Sequence, residues 1–266
     1  MIASLTETVH KRMTGLESSA MIQAKSLSKV FPATKKTKEV RAVDNVSFEC
    51  QPHEIYGLLG ANGAGKTTTL RMLATILEPT GGTATVAGYD IIEEPEKVRA
   101  HVGFLSTATA LYGRLTAYEM VEYFGKLHGM EGEPLRRAIE SLFDVLGMND
   151  FKDRRCEKLS TGQKQKVSIA RTLVHDPTVM IFDEPTVGLD VIASRTIVGF
   201  IRQCRDRGKT VIFSTHVMSE AEKLCDRIGI INRGRLLAEG SLAELRGRFG
   251  KEDLEDIFVE VVGDAP

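Results

Sequence analysis

The sequence contains few cysteines, and their positions match no metal-binding or disulfide pattern. Four are spread over 266 residues with no C-x-x-C pair and no grouping with histidine: Cys50, Cys156, Cys204 and Cys225. Zinc sites and disulfide frameworks both depend on regularly spaced cysteines, so neither is predicted. Scattered thiols of this kind are typical of a protein of the reducing cytosol.

The sequence has no excess of charge of either sign. Lysine and arginine number 35 against 36 aspartate and glutamate residues, which gives a net charge of −1. Such a balanced chain has no bulk attraction to nucleic acid or to anionic lipid, so no nucleic-acid partner is expected. One short basic cluster, residues 35–38, lies between two predicted strands, and we interpret it as a solvated hairpin tip.

Long apolar runs are also missing, since none approaches the roughly 20 residues that cross a bilayer. Residues 1–20 are polar and lack the hydrophobic core of a signal peptide, so we expect a mobile extension there, or a start of translation at Met21. With 42% hydrophobic residues the chain can bury a sizeable core. We predict one domain over residues 21–262 and a short tail at 263–266, without internal repeats.

The most informative stretch is glycine-rich. Residues 60–67 fit the pattern G-x-x-x-x-G-K-[ST]. The apolar run Ile55–Leu59 before it predicts a strand, and apolar residues behind it, such as Leu70 and Leu73, follow helical spacing. A strand, a glycine-rich turn and a helix start present backbone N–H groups that suit a polyphosphate. We therefore predict a nucleoside triphosphate site.

Two side chains of this stretch have specific roles in the prediction. Lys66 would reach the β- and γ-phosphates, and the Thr67 hydroxyl would ligate Mg²⁺. The predicted nucleotide contacts of the stretch are Gly60, Asn62, Gly63, Ala64, Gly65, Lys66, Thr67 and Thr68.

Phe31 is an aromatic residue 29 positions before Gly60. By itself it is interpreted as a core residue. The alternative is that its ring forms a platform on which adenine stacks, which would add Phe31 to the nucleotide contacts.

Two adjacent acids follow a short apolar run, residues 178–182, that is typical of a buried parallel strand. Ligands bind at the carboxyl edge of open α/β sheets, and in P-loop NTPases an aspartate there holds Mg²⁺. Alone, such a pair is usually a solvated loop. With the glycine-rich stretch in the same chain, we predict Asp183 as a metal ligand and Glu184 as the general base toward water.

His216 ends a further predicted strand, residues 210–215. A single histidine at a strand end is usually structural. At the ligand edge of this sheet it can instead donate a hydrogen bond to a γ-phosphate oxygen, so both interpretations stay open.

A second helix start has features of an anion site. Ser160, Thr161, Gly162 and Gln163 fit the capping box S-x-x-Q, which is a structural role sufficient in itself. However, a glycine in the first turn weakens a helix start by up to ~1 kcal/mol, so we infer that something approaches this backbone closely. A helix N-terminus with a serine hydroxyl suits an anion.

The rest of the chain predicts an α/β framework with a helical insertion over about residues 107–172. Further strands are predicted at Ile22–Ala24, Val43–Cys50, Thr83–Val86, His101–Leu105, Ile228–Asn232 and Arg235–Ala238, with Gly81-Gly82 as a turn. Helices are predicted after a capping box at Thr116, from Pro134 to a stop at Gly147, after a cap at Asp190, and around Leu254, Ile257, Phe258 and Val261.

These motifs together resemble the nucleotide-binding subunit of an ABC transporter, and the likeness spans about residues 21–262. Residues 60–67 look like the family's Walker A loop, and residues 179–184 look like Walker B with its catalytic glutamate. Leu159–Gln163 resembles the signature L-S-G-G-Q and stands at the expected distance before Asp183.

The resemblance extends to two smaller motifs and implies a fold. Gly188–Asp190 is similar to the D-loop, which includes Asp190, and His216 is similar to the switch histidine. The implied architecture is α/β: a P-loop NTPase of the ABC ATPase type, with a RecA-like core, an antiparallel β subdomain and an inserted helical subdomain. The stretch 159–195 and the ending Leu254–Phe258 look most like ATPases of sodium-efflux and drug-efflux exporters.

The sequence departs from the family pattern in two places. Thr161 replaces the first glycine of the signature but leaves Ser160 and Gly162, the implied γ-phosphate contacts. The glutamine that the family carries after a strand like 102–105 is absent, and Ser106-Thr107 stands there instead. A Thr107 hydroxyl would be a weak or water-mediated substitute as a Mg²⁺ ligand.

By resemblance, two such subunits pair head to tail as a homodimer or pseudo-dimer, and each ATP with its Mg²⁺ is held between Walker A of one chain and the signature of the other. A separate transmembrane permease subunit is then required, with residues 106–115 as the expected docking surface. This arrangement implies a peripheral position on the cytoplasmic face of the membrane.

Three functions remain as hypotheses. The first is an ATPase that powers a membrane exporter, for Na⁺ or a drug-like substrate. The second is a soluble ABC ATPase acting on nucleic acid or in translation, although the chain shows neither a second cassette nor a basic stripe. The third is a regulatory subunit with weak hydrolysis, suggested by the missing glutamine. A GTPase is not expected because no N-K-x-D element occurs.

Overall fold

The computed structural model describes residues 20–33, 38–106 and 110–263. Within these ranges the strands are β1 (Ile22–Phe31), β2 (Val40–Cys50), β3 (Ile55–Leu59), β4 (Gly81–Val86), β5 (Tyr89–Asp90), β6 (Val102–Ser106), β7 (Val179–Asp183), β8 (Thr210–Thr215), β9 (Arg227–Asn232) and β10 (Arg235–Gly240). They form two sheets, one of four strands and one of six. The extension 1–19, the tip residues 34–37 and the tail 264–266 lie outside the described residues, and the predictions for them remain predictions.

The helices in the same part of the chain are α1 (Lys66–Leu73), α2 (Pro95–His101), α3 (Ala117–Leu127), α4 (Gly132–Leu146), α5 (Thr161–Leu173), α6 (Val191–Asp206), α7 (Met218–Leu224), α8 (Leu242–Phe249) and α9 (Leu254–Gly263). Two short 3₁₀ turns, Asn149–Phe151 and Cys156–Lys158, precede α5. None of the helices described combines the length and the apolar character needed to span a bilayer.

The six-stranded sheet determines where a ligand can bind. Its order is β10-β9-β3-β8-β7-β6, with all neighbours parallel except the hairpin of β9 and β10. Every residue of β3, β7 and β8 is buried, as their continuous apolar sequences predict for parallel strands covered on both faces. The carboxyl ends of these three strands meet at one edge, so the loop after β3, the acids after β7 and the histidine after β8 come together.

The four-stranded antiparallel sheet has the order β2-β1-β4-β5 and corrects one prediction. Gly81 and Gly82 do not form a turn but begin β4, where Gly81 pairs with Ser28. Gly82 has a φ of +71°, and a Cβ added to it would lie 2.1 Å from the carbonyl oxygen of Ser26. Close approach of β1, which continues to Phe31, therefore explains the glycine at position 82 of a pair that the sequence suggested was a turn.

Helices α3, α4 and α5 form a separate layer around their own hydrophobic cluster, which contains Met120, Leu135, Ile139, Phe143 and Val167. Local sequence signals define these helices. The predicted capping box at Thr116 is confirmed, since its hydroxyl accepts from the Glu119 N–H at 3.1 Å and Glu119 accepts from the Thr116 N–H at 2.8 Å. The predicted stop at Gly147 is confirmed as well, because this residue ends α4 with a φ of +58°.

Two stacked histidines join this helical layer to the large sheet. The rings of His128, at the end of α3, and His175, just beyond α5, lie 3.6 Å apart and 4° from parallel. His175 Nε2 lies 3.1 Å from the carbonyl oxygen of Val102, which begins β6, while Nδ1 has no partner among the described residues. Burial, followed by the neighbouring His128, lowers the pKa of His175 to about 4, so the pair packs in its neutral form.

The buried His175 predicts that the folded protein loses stability in mild acid. The folded pKa of His175 is depressed to about 4 from 6.5, so between these two values the unfolded chain binds more protons than the folded chain. The free energy of unfolding is expected to fall as the pH drops through that window, by on the order of 2–3 kcal/mol from this group. Urea unfolding at pH 7, 6, 5 and 4 measures it.

The His175→Phe variant is the control, because its ring still stacks on His128 but takes up no proton. The general acid destabilisation from carboxylates remains in both proteins, so the informative quantity is the difference between their pH profiles. Parallel profiles for the wild type and His175→Phe would show that His175 contributes no pH dependence.

Candidate active site

The glycine-rich loop lies between β3 and α1, as predicted. Gly65 precedes the first helical residue with a φ of +106°, and a Cβ on it would lie 2.5 Å from the carbonyl oxygen of Ala42. Gly60 is equally constrained, since a Cβ added to it would lie 2.4 Å from the carbonyl oxygen of Ile231. The loop is thus packed against its neighbours, and its other side faces a cleft of about 260 Å³ lined by residues 62–68, Ala42 and Glu184. We call this the phosphate cleft.

Lys66 is the cation of this cleft and is only 4% exposed. Its Nζ donates to the carbonyl oxygens of Gly60 at 2.6 Å and Ala61 at 3.1 Å. The same Nζ forms an ion pair with Glu184 Oε1 at 3.0 Å. The loop therefore encloses a fixed positive charge at the start of α1, where the helix dipole also favours an anion.

The two predicted metal ligands are in direct contact. Thr67 Oγ1 donates to Asp183 Oδ1 at 2.9 Å, although the residues are far apart in sequence. A hydroxyl and a carboxylate are the hard oxygen ligands that Mg²⁺ prefers. Two adjacent ligands of an octahedral site with bonds of about 2.1 Å lie about 3 Å apart, so this pair fits one edge of a Mg²⁺ coordination shell.

Glu184 lies between two cationic or donor groups. Its Oε2 is 3.0 Å from His216 Nδ1, while Oε1 contacts Lys66. The carboxylate is thus held in the lining of the phosphate cleft, where it can accept a proton from a water that attacks a bound phosphate. Its backbone has a φ of +48°, a left-handed conformation that costs a non-glycine residue about 1–2 kcal/mol.

His216 contacts Glu184 rather than the loop. The structure thus gives His216 a partner within the site. This contact matches neither sequence interpretation fully, since they were a purely structural residue and a donor to the γ-phosphate. Nδ1 faces the Glu184 carboxylate, so Nε2 is the ring nitrogen that could still contact a phosphate. The His216 side chain is 38% exposed.

The second predicted anion site is intact but lies apart from the first. Ser160 Oγ accepts from the Gln163 N–H at 3.3 Å, and Gln163 Oε1 accepts from the Ser160 N–H at 3.0 Å, which confirms the capping box. Ser160, Thr161 and Gly162 are exposed, and none of them lines the phosphate cleft. Among the described residues nothing lies within 4 Å of the position that a Cβ on Gly162 would take, so none of them makes the close approach that this glycine suggested.

Three further predicted residues have different outcomes. Asp190 caps α6, with Oδ1 accepting from the Ala193 N–H at 2.8 Å, as predicted. Phe31, the last residue of β1, is 39% exposed, so its interpretation as a core residue is wrong. Thr107 lies outside the described residues, but the preceding Ser106 is buried and pairs with Asp183 across β6 and β7.

The sequence reasoning missed two supports of the site. Gly234, in the turn between β9 and β10, donates from its N–H to the carbonyl oxygen of Ala64 at 2.9 Å and so braces the glycine-rich loop. Ser214, on β8, contacts both Asp183 and Glu184. The only sequence signal for Ser214 was a hydroxyl in an apolar strand, next to the strand that carries the acids.

Replacing Phe31 with alanine tests the remaining interpretation, adenine stacking. Base–aromatic stacking is worth about 1–3 kcal/mol, and a ring open on one side is expected at the lower limit, so ATP affinity should fall about fivefold. Isothermal titration with ATP measures the change. Val40→Ala is the matched control, because Val40 pairs with Phe31 across the hairpin and is also exposed; an equal affinity in Phe31→Ala and wild type would contradict the prediction.

The fold and the site define a P-loop NTPase cassette. The sequence matches the ABC transporter family over residues 43–187, which is more than half of the chain. It is 44% identical over 225 residues to the ABC transporter ATP-binding protein NatA of Bacillus subtilis (strain 168), covering 84% of this chain and 92% of that protein. It is 37% identical over 246 residues to the linearmycin resistance ATP-binding protein LnrL of the same organism, covering 92% and 77%.

Solved structures agree with this assignment. The ATP-binding subunit of an ABC transporter superposes with a TM-score of 0.80 at 28% identity, covering 91% of this chain and 99% of that one. A dimeric ATP-binding cassette in a post-hydrolysis state, bound to ADP and phosphate, superposes with a TM-score of 0.73 at 26% identity, covering 83% and 98%. The chain belongs to the ABC transporter family, as an ATP-binding and ATP-hydrolysing subunit.

Proposed function

We propose that this chain is the motor subunit of a membrane exporter and that Glu184 is the base of its ATPase reaction. The observation that carries this proposal is the position of Glu184, which contacts both Lys66 and His216 beside the contact of Thr67 with Asp183. A cation for phosphate, an oxygen pair for Mg²⁺ and a base for water thus meet in one cleft. These are the parts that phosphoryl transfer requires.

Lys66 and the N–H groups of the loop bind the β- and γ-phosphates, and Thr67 with Asp183 holds Mg²⁺. When bound, the metal neutralises the charge that develops on the phosphate oxygens. Lys66 contacts Glu184 in this structure, so a γ-phosphate that takes over Lys66 leaves the Glu184 carboxylate free to accept a hydrogen bond from water. His216 keeps the other oxygen of that carboxylate in place.

A second copy of the chain, or a similar chain, completes the site. The Ser160 helix start is exposed, is open above Gly162 and lies outside the phosphate cleft, so it is free to contact the γ-phosphate held by a partner. ATP-binding subunits of this family dimerise, and one of the superposed structures is a dimer. ATP would then close the dimer and hydrolysis would open it.

A transmembrane permease is the second partner, and it places this chain on the cytoplasmic face of the membrane. We propose that residues 106–115 contribute to the docking surface. Within this stretch Tyr112 is 56% exposed and packs edge-on against Tyr123 of α3, with ring centroids 5.8 Å apart. The substrate class, Na⁺ or a drug-like compound, follows the sequence resemblance and the names of the relatives, one of which confers linearmycin resistance.

Affinity purification of the tagged chain from membranes tests the proposal. The expected result is a stable complex with a polytopic membrane protein whose presence raises ATP turnover. Recovery of the chain in a soluble complex with ribosomes or DNA would contradict the exporter function, because it would assign the same ATPase to nucleic acid. ATP turnover by the isolated complex that does not depend on Glu184 would contradict the proposed base.

A further inference from the structure

Ser214 is a buried hydroxyl that the reaction as described does not use. It lies on β8 with no exposed surface and pairs with Asp183 of β7 across the sheet. Apart from the threonines at its two ends, the strand is apolar, so a polar side chain in this place requires partners.

The hydroxyl has two partners, and their chemistry fixes its orientation. The Glu184 N–H donates to Ser214 Oγ at 3.0 Å, because a backbone nitrogen can only donate. The one hydroxyl proton of Ser214 is therefore directed to Asp183 Oδ1, at 2.9 Å. Ser214 thus links the predicted metal ligand to the backbone of the predicted base.

The backbone of Glu184 needs this link. Its φ of +48° is a conformation that a non-glycine residue keeps only when surrounding contacts determine it. The bond from its N–H to Ser214 fixes the peptide plane from which the side chain extends toward Lys66 and His216. Without that bond, the peptide is free to relax toward an ordinary φ, which would turn the carboxylate away from the cleft.

We infer that Ser214 is a positioning residue for ATP hydrolysis: through the Glu184 backbone it holds the general base in the orientation that activates water. This inference rests on the proposed role of Glu184. Since Ser214 does not line the phosphate cleft, it affects the chemical step and leaves ATP binding nearly unchanged.

The chain offers a matched control on the same strand. Thr210, at the opposite end of β8, is 1% exposed, and its Oγ1 accepts from the His53 N–H at 2.9 Å. Thr210→Val and Ser214→Ala therefore each remove one buried hydroxyl that accepts a backbone N–H. Only Ser214 connects to the acids, so a general packing effect would appear in both variants.

The experiment measures kcat, KM for ATP and thermal unfolding of wild type, Ser214→Ala, Ser214→Cys and Thr210→Val. Ser214→Cys keeps the side-chain volume and weakens the hydrogen bonds, so it reports on the chemistry even where Ser214→Ala is too unstable to assay. For both Ser214 variants we expect kcat to fall about 10- to 100-fold, the loss expected of a misplaced catalytic group, with KM within about threefold. Thr210→Val is expected to keep its kcat.

A double-mutant cycle then tests whether Ser214 acts through Glu184. In a Glu184→Gln background, replacing Ser214 by cysteine is expected to lower the residual rate no further, because the base is already absent. A kcat within twofold of wild type in Ser214→Cys, an equal loss in Thr210→Val, or an additive loss in the double variant would overturn the inference. Wild-type turnover in Glu184→Gln itself would instead overturn the proposed base.

Discussion

ATP hydrolysis by the Glu184→Gln variant is expected to be about 10²–10⁴ times slower than by the wild type, the range for loss of a general base. The amide keeps the size of the carboxylate and its contact with His216 but has no oxygen that can take a proton from water. The variant should still bind ATP, because the contacts that Lys66 and the loop make with phosphate are unchanged. Phosphate release under saturating ATP measures the rate.

Glu220→Gln is the control for this substitution. Glu220 lies in the first turn of α7, four residues after His216, and its Oε2 accepts from Thr215 Oγ1 at 3.0 Å, but it does not line the phosphate cleft. The same loss of one negative charge is expected to leave turnover within about twofold of wild type. If Glu184→Gln also kept that rate, the water would have to be activated by another group, and the proposed mechanism would be wrong.

Lys66→Ala is expected to reduce ATP affinity by about 10- to 150-fold, which corresponds to the loss of charge-assisted hydrogen bonds of about 1.5–3 kcal/mol. The Lys66 side chain is only 4% exposed and its ammonium contacts the carbonyl oxygens of Gly60 and Ala61, so alanine removes the cation that the loop encloses. The loss should be larger for ATP than for AMP, because AMP lacks the β- and γ-phosphates. Titration of a fluorescent ATP analogue, competed with ATP and AMP, measures both affinities.

Lys209→Ala separates this effect from the removal of any partly buried lysine. Lys209 Nζ contacts Asp176 Oδ1 and the carbonyl oxygen of Pro177, each at 2.6 Å, at the end of the sheet away from the phosphate cleft. Its replacement should leave ATP affinity unchanged. Equal ATP affinity in Lys66→Ala and Lys209→Ala would show that Lys66 does not contact the phosphates.

The features that the sequence predicted well depend on local chemistry. The glycine-rich loop, the capping boxes at Thr116 and Ser160 and the stop at Gly147 are each specified by a few adjacent residues. The buried strands β3, β7 and β8 follow from continuous apolar runs. Because parallel strands align their carboxyl ends, the sequence also predicted that Asp183, Glu184 and the loop would meet.

The features that it missed depend on contacts between distant segments. Gly82 resembles a turn residue until β1 is seen passing within contact of its backbone. Hydrophobicity alone favours a core position for Phe31, whereas the fold leaves this residue at the exposed end of β1. Ser214 carries no motif, and its importance comes only from its pairing with Asp183 on the neighbouring strand.

The oligomeric state of Glu184→Gln with and without ATP tests the central claim, that ATP is held between two copies of the site. Light scattering should give the mass of one chain without nucleotide and twice that mass with ATP and Mg²⁺. The matched variant adds Gly162→Asp to Glu184→Gln. In the single chain the new side chain meets no described residue within 4 Å of its Cβ, and a negative charge favours a helix start. In the dimer it would place that charge where the partner's γ-phosphate lies. We predict that this double variant binds ATP and stays monomeric; a Glu184→Gln protein that remains monomeric with ATP, or a double variant that dimerises as well as Glu184→Gln, would contradict the account.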